Sequence, residues 1–449
     1  MPACKHNDLC FEPSDHAASI GYKRPTESQR AAATHFDVRS GAASLDIHPS
    51  TFPGPLVLPG DELSFNPTYE RQDVKSWSRC AGLYTAQRRV VYVVPTPVLS
   101  PDVSKWSPKP NLKPVKATGR DRPAVPCTVP TPKTDDVLDY LSAFYHGMPV
   151  KILAGPALRF VEWNETSPTH AQPARVGLDI GKEAIGVRVR PSPDGLFDAQ
   201  LNLDDLLDAA ITILPKDAHA LLMIVDHDLY EDEEDDFCCG RAYGGSRVSV
   251  VSTARYNPVM DAQQEIETQH AWPASHCRWF VEASCGETHP DSNRKTNKAK
   301  AAKASSSYRS KSAMRSAVDA LQQLSANRVQ INSYDLWLGR VCKTASHELG
   351  HCFGMDHCVY YACVMQGTSG LTEDAGQPPY LCPVDLAKLF RVTGATETSH
   401  ETALLAFCER FKYDKLFAAF GAWLKVRLAE LEDVRPLEGG SMEEAIVLD

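Results

Sequence analysis

Between His347 and Met365 the chain reads HELGHCFGMDHCVYYACVM, which places three His, three Cys, a Glu and an Asp within one short stretch. These are the side chains that bind metals and move protons. On a helix, His347 and His351 stand about 40° apart around the axis and one turn along it, so both imidazoles reach one ion. Glu348, the next residue round, falls beside that ion rather than on it. A carboxylate there suits a general base for a metal-activated water. A catalytic zinc needs a third protein ligand and one open position, and His357 is the candidate. On an unbroken helix His357 would lie roughly 15 Å along the axis from His347, on another face. Gly354 can adopt the left-handed conformation that ends a helix and turns the chain back. The spacing H-E-x-x-H-x-x-G-x-x-H therefore encodes a helix, a break and a return.

This motif resembles the zinc motif of the metzincins, and Met365 stands where their Met-turn methionine would lie beneath the metal. The Cys after the third His, Cys363 five residues on, and the later Cys382 resemble more specifically the archaemetzincins. Segments such as LVLPGDEL, AFYHGMPVKIL, VDHDLY and VVSTARY extend that resemblance over roughly residues 50 to 420. The resemblance implies a second, structural zinc held by four Cys. Here Asp385 replaces the last of them, leaving Cys358, Cys363, Cys382 and Asp385 as the expected set. Carboxylate oxygen is an accepted zinc ligand, although a harder one than sulfur. The rival is an empty site, with Asp385 capping a helix at DLAKLFRV and the cysteines as buried apolar groups. Cys352 reads as a core thiol, and Cys4 and Cys10 qualify as switch-type zinc ligands by residue type alone.

The elements that must position these residues follow from periodicity. TDDVLDYLSAFYHGM, NLDDLLDAAITIL, AMRSAVDALQQLSANRV and SYDLWLGRVCKTASHELGHCFG space their apolar residues for helices, with Asn202 and Ser333 as caps. RRVVYVVPTP, PVKILAG, ARVGLDIG, AIGVRVRP, HALLMIVDHDLY and SRVSVVSTARY read as strands. The expected fold is α/β (α+β) and metzincin-like: a mixed twisted sheet, an active-site helix and a helical C-terminal subdomain. By resemblance, SRVSVVSTARY would be the edge strand above the zinc, where an unpaired edge can take an extended peptide.

The expected organisation is an irregular segment over 1–50, a Pro-rich part wrapping the rest over 51–133, a catalytic domain over 134–420, and a helix end with an acidic tail over 421–449. A Lys/Ser/Ala-rich insertion at about 288–312 reads as disordered. The run EDEEDD at 231–236 reads as a solvated loop.

The net charge of −10 argues against general nucleic-acid binding, leaving the basic insertion as the one candidate region for it. No signal peptide or membrane span is evident, so the expectation is an intracellular chain, cytoplasmic with a nuclear option. In that compartment the 14 cysteines read as thiols and metal ligands rather than disulfides. The expected function is peptide-bond hydrolysis by a zinc-dependent peptidase acting on peptide or protein substrates. Resemblance adds aminopeptidase-like action. The alternative is a zinc-stabilised protein-binding or nucleus-associated factor with little or no peptidase activity.

Overall fold

The computed structural model describes residues 4, 6–35, 48–80, 85, 87–112, 129–163, 174–286, 312–327 and 332–433. The basic insertion and the acidic tail lie outside them, apart from Ser312. Among the described residues, eleven strands form two sheets rather than the single sheet expected. The first has the order β10-β11-β8-β1-β3, from β1 (Val90–Val94), β3 (Val150–Ile152), β8 (Ala218–Val225), β10 (Gly240–Tyr243) and β11 (Val248–Ser252). β3, β1, β8 and β11 run parallel, and β10 closes the row antiparallel to β11. β8 is AHALLMIV and buried throughout, as a parallel strand covered on both faces should be.

The second sheet has the order β2-β4-β5-β6-β7-β9. It is built from β2 (Val98–Leu99), β4 (Arg159–Val161), β5 (Arg175–Asp179), β6 (Ala184–Arg190), β7 (Gln200–Asn202) and β9 (Asp228–Tyr230). Here β4, β5, β6 and β7 each pair antiparallel with the next. The chain leaves β8 at Val225 and enters β9 at Asp228, so the sheets meet at Asp226–His227.

Three expectations change. SRVSVVSTARY contributes β11, an interior strand between β8 and β10; the edge belongs to β10, the short stretch GRAY. The boundary at residue 133 does not divide the fold, because β1 pairs with β8 on one side and β3 on the other. The C-terminal helices Glu397–Arg410 and Lys415–Asp433 form no separate unit. Their Phe407, Phe417, Phe420 and Trp423 share one apolar core with Leu338, Val341, Ala345 and Leu349 of the helix Ser333–Cys352. No helix of the described residues is long and apolar enough to cross a membrane.

Candidate metal centre

The helix Ser333–Cys352 lies against β10, β11 and β8 and is buried along most of its length. Its cap is Asn332, whose side chain accepts from the Tyr334 amide, so Ser333 is the first helical residue rather than the cap. At the other end Gly354 has φ +77°. Its amide donates to the His351 carbonyl at 2.9 Å, and the Met355 amide to the Gly350 carbonyl at 3.1 Å. These bonds satisfy carbonyls the helix end would orphan and reverse the chain. His357 then returns towards the face that carries His347 and His351.

The three imidazoles converge. Ring centroids stand 4.7 Å apart for His347 and His351, 5.3 Å for His347 and His357, and 5.0 Å for His351 and His357. His347 Nδ1 donates to the Val364 carbonyl at 2.6 Å and His351 Nδ1 to the Met355 carbonyl at 2.7 Å. Those bonds fix the tautomers and leave both Nε2 atoms as lone-pair donors, 3.0 Å apart. Two nitrogens bound tetrahedrally at about 2.1 Å from zinc would stand roughly 3.4 Å apart. Burial, followed by the mutual repulsion of the rings, holds His347 well below the usual imidazole range, and burial brings His357 to about 4. Neutral imidazoles with ordered second nitrogens are what a divalent ion needs.

Glu348 is 8% exposed, and burial pushes its carboxyl up to about 8 against the opposing charge of Arg241. It faces β10: a Cβ on Gly240 would stand 3.3 Å from Glu348 Cγ. Met365 is fully buried against Gly350, the helical residue just before His351, at a point where no side chain would fit.

The second expected set also assembles. Cys358, Cys363, Cys382 and Asp385 are all buried, with one donor atom of each within 4.8 Å of the others. Cys358 Sγ is 3.5 Å from Cys382 Sγ, and Asp385 Oδ2 is 3.3 Å from Cys382 Sγ. Burial would raise Cys358, but hydrogen bonds from Cys363 and Cys382 outweigh it and hold its thiol well below the usual range. Asp385 does not cap its helix; Cys382 occupies that position, ahead of Pro383. Its Oδ1 instead pairs with the buried Lys388 ammonium at 2.9 Å. Burial pushes Asp385 up to about 6 in spite of Lys388. Three thiols and a carboxyl are a donor set that suits a thiophilic divalent cation, and Lys388 offsets the charge of Asp385.

Three residues that spacing alone does not single out complete the neighbourhood. Gln72 donates to the Gly354 carbonyl at 3.0 Å, accepts from the Asp356 amide at 3.1 Å and accepts from Lys388 Nζ at 2.8 Å. Trp77 Nε1 donates to the Phe353 carbonyl at 2.9 Å. The Tyr69 ring lies 5.7 Å from that of His357. All three belong to the segment expected only to wrap the domain, and only their position in the fold reveals them.

Residues 314–391 match the model of peptidase family M54. Archaemetzincin-2 of Homo sapiens is 41% identical over 70 residues, which cover 16% of this chain and 19% of that protein. Archaemetzincin-1 of Rattus norvegicus is 27% identical over 218 residues, 48% of this chain and 35% of its own length. The chain thus spans well under two thirds of the curated relatives it matches. Among solved structures, the archaemetzincin of Methanopyrus kandleri aligns over 69% of this chain and 98% of its own, at 18% identity and a TM-score of 0.31.

Proposed function

We propose, starting from a chain whose residues 314–391 belong to peptidase family M54 and group with the archaemetzincins, that it is a zinc-dependent metallopeptidase. The observation that carries this reading is the convergence of His347, His351 and His357, with two Nδ1 atoms engaged on carbonyls and the Nε2 lone pairs turned inward. These three residues would hold zinc. When bound, zinc supplies Lewis acidity that makes water a nucleophile near neutral pH and polarises the scissile carbonyl.

Glu348 is the general base in this reading. It takes a proton from the attacking water and passes it to the leaving amine, which needs a carboxyl whose pKa lies near the working pH. Burial makes Glu348 a stronger base than an exposed carboxylate, and zinc bound beside it would favour its ionised form. β10 lies over Glu348 at the end of its sheet, and its outer backbone groups suit an extended peptide laid alongside it. Gly240 lets that strand approach the helix closely.

Aminopeptidase-like action is the finer reading. A groove of about 620 Å³ is lined by Asp61, Asp194, Arg255, Phe237, Leu371 and Glu373. A Cβ on Gly367 would meet both the His357 ring and Glu62, the neighbour of Asp61 in the chain. Asp194 is already paired with Arg255, which leaves Asp61 and Glu373 as the carboxyl groups that would take a free α-ammonium. Faster cleavage of free than of N-acetylated peptides is the expected result, and equal rates would leave an endopeptidase.

Cys358, Cys363, Cys382 and Asp385 are proposed to hold a second, structural zinc. The test is zinc content beside peptide cleavage in wild type, Glu348→Ala and Asp385→Ala. Glu348→Ala should retain its metal and lose turnover by about 10²-fold or more. Persistent turnover would sink the general-base role. Asp385→Ala should bind one zinc fewer than wild type; an unchanged count would remove Asp385 from the ligands.

A further inference from the structure

We infer that Cys4, His6 and Cys277 form a further metal site, for zinc or a similarly thiophilic divalent ion, remote in sequence from both sets above. Their donor atoms all lie within 4.8 Å of one another. Cys4 Sγ stands 3.0 Å from Cys277 Sγ and 3.3 Å from His6 Nδ1. Two thiols and an imidazole are a borderline-soft donor set of the kind that selects zinc. Sulfurs bound at about 2.3 Å from a tetrahedral zinc stand roughly 3.7 Å apart, a small side-chain rotation from the observed separation. A disulfide needs about 2.05 Å, and neither thiol is paired in that way.

The backbone builds this meeting. Leu9 and Cys277 form an antiparallel bridge, Cys10 N donates to the His276 carbonyl at 2.7 Å, and Arg278 N donates to the Asp8 carbonyl at 2.9 Å. Arg315 grips the turn by donating to the His6 carbonyl at 2.9 Å. His6 itself has φ +47°, a conformation disfavoured for any residue but glycine, which aims its ring across the turn at Cys4. Strain of this kind is retained where something else gains from it.

A second observation points to a ligand. Cys4 lines a groove of about 700 Å³ together with His270 and His276. His276 is 1% exposed, and its Nε2 has no hydrogen-bond partner. The His270 ring lies 5.3 Å from that of His6. Cys4, His270 and His276, from two distant segments, therefore line one groove, with His6 and Cys277 in contact with them. Cys4, Cys277 and His6 would supply three ligands, and Cys4 borders the groove, from which a fourth could come.

The consequence is a metal clamp on the N-terminal strap. From Cys10 the chain runs to Ser14, whose amide and hydroxyl donate to the Leu56 and Val57 carbonyls. The residues that follow, Pro59 and Asp61, border both grooves. Fixing Cys4 to Cys277 thus fixes one wall of the proposed substrate path without touching the catalytic imidazoles.

The test is metal content of the full chain in Cys4→Ser, Cys277→Ser and, as a control, Cys10→Ser, whose thiol bonds to the Glu12 carbonyl outside the cluster. Each of the first two should bind one metal fewer than wild type, and Cys10→Ser the same number. Because the readout is a difference between chains, it stands whether or not the His347–His351–His357 site is catalytic. Alkylation of the wild-type chain provides a check independent of variant folding. Cys4, which is only partly buried, should be protected until a chelator is added and reactive afterwards, measured against Cys10 in the same digest. Equal metal content in all four chains, labelling of Cys4 that ignores the chelator, or a Cys4–Cys277 disulfide in the non-reduced digest would each overturn the site.

Discussion

Asp385 concentrates the electrostatic problem of the cysteine cluster in one side chain. Its Oδ2 faces Cys363 and Cys382, while its Oδ1 faces Lys388. A carboxylate committed to a buried ammonium is a weaker metal ligand than a free one, because coordination must compete with the ion pair. Asp385→Cys should therefore tighten the second site by replacing a harder oxygen with a softer sulfur. Slower metal loss to a chelator than in wild type is the expected result, and faster loss would show that the Lys388 pair matters more than ligand softness. At the three-histidine set the corresponding residue is Gly354. Its φ of +77° is the condition for His357 to return, so Gly354→Ala should cost about 1 kcal/mol in stability and weaken retention of the first metal.

At the scale of elements, the approach of β10 to the active-site helix sets what Glu348 can do. A side chain on Gly240 would meet the Val250 carbonyl at 3.0 Å as well as Glu348, so the strand would have to lift away. Gly240→Val should retain metal and lower turnover by about ten- to a hundredfold, the usual consequence of a misplacement near 1 Å. The C-terminal helix pair offers a pH-dependent test. Burial pushes Glu401 up to about 9 even though Arg427 opposes the shift, and its Oε2 has no hydrogen-bond partner. A carboxyl raised in the folded state contributes stability fully below its unfolded pKa of about 4.3 and loses it as pH rises towards 9. Glu401→Gln cannot ionise, so its stability relative to wild type should increase steadily between pH 5 and pH 8, read by urea denaturation. A constant difference would mean that Glu401 is already ionised in the folded protein throughout that window, so that burial does not raise it. The helices were legible because their apolar spacing and caps, such as Asn202 accepting from the Asp205 amide, are local signals. β10 was not, because GRAY is short, contains glycine and follows an acidic run, so its strand character comes from pairing with β11 rather than from its own pattern.

Across the whole molecule one core joins the C-terminal helices to the metal centre through identifiable contacts. Trp423 stacks on Tyr380 with centroids 4.4 Å apart. The Tyr380 carbonyl accepts from the Val364 amide, and the Val364 carbonyl accepts from His347 Nδ1. Trp423→Ala should cost about 3–5 kcal/mol, and metal release should coincide with loss of helical circular dichroism in one transition. Metal leaving well before unfolding would mean that the core does not support His347. This scale is also where the sequence is silent. His347, His351 and His357 could be read because they lie within about three helical turns of one another and one glycine closes the path. Gln72, Tyr69 and Trp77 approach the same centre across some 280 residues of chain, and Cys4 meets Cys277 across 273. No periodicity spans such distances; only the folded topology does.

Gln72 gives that topology a thermodynamic meaning. One amide group touches the turn that delivers His357 and, through Lys388, the carboxylate that closes the cysteine cluster. Two binding equilibria that share a hydrogen-bonded bridge are linked, and linkage is reciprocal: each ion changes the other's affinity by the same factor. Removing the cluster's metal should therefore lower affinity at the imidazoles, and Gln72→Ala should make the two titrations independent.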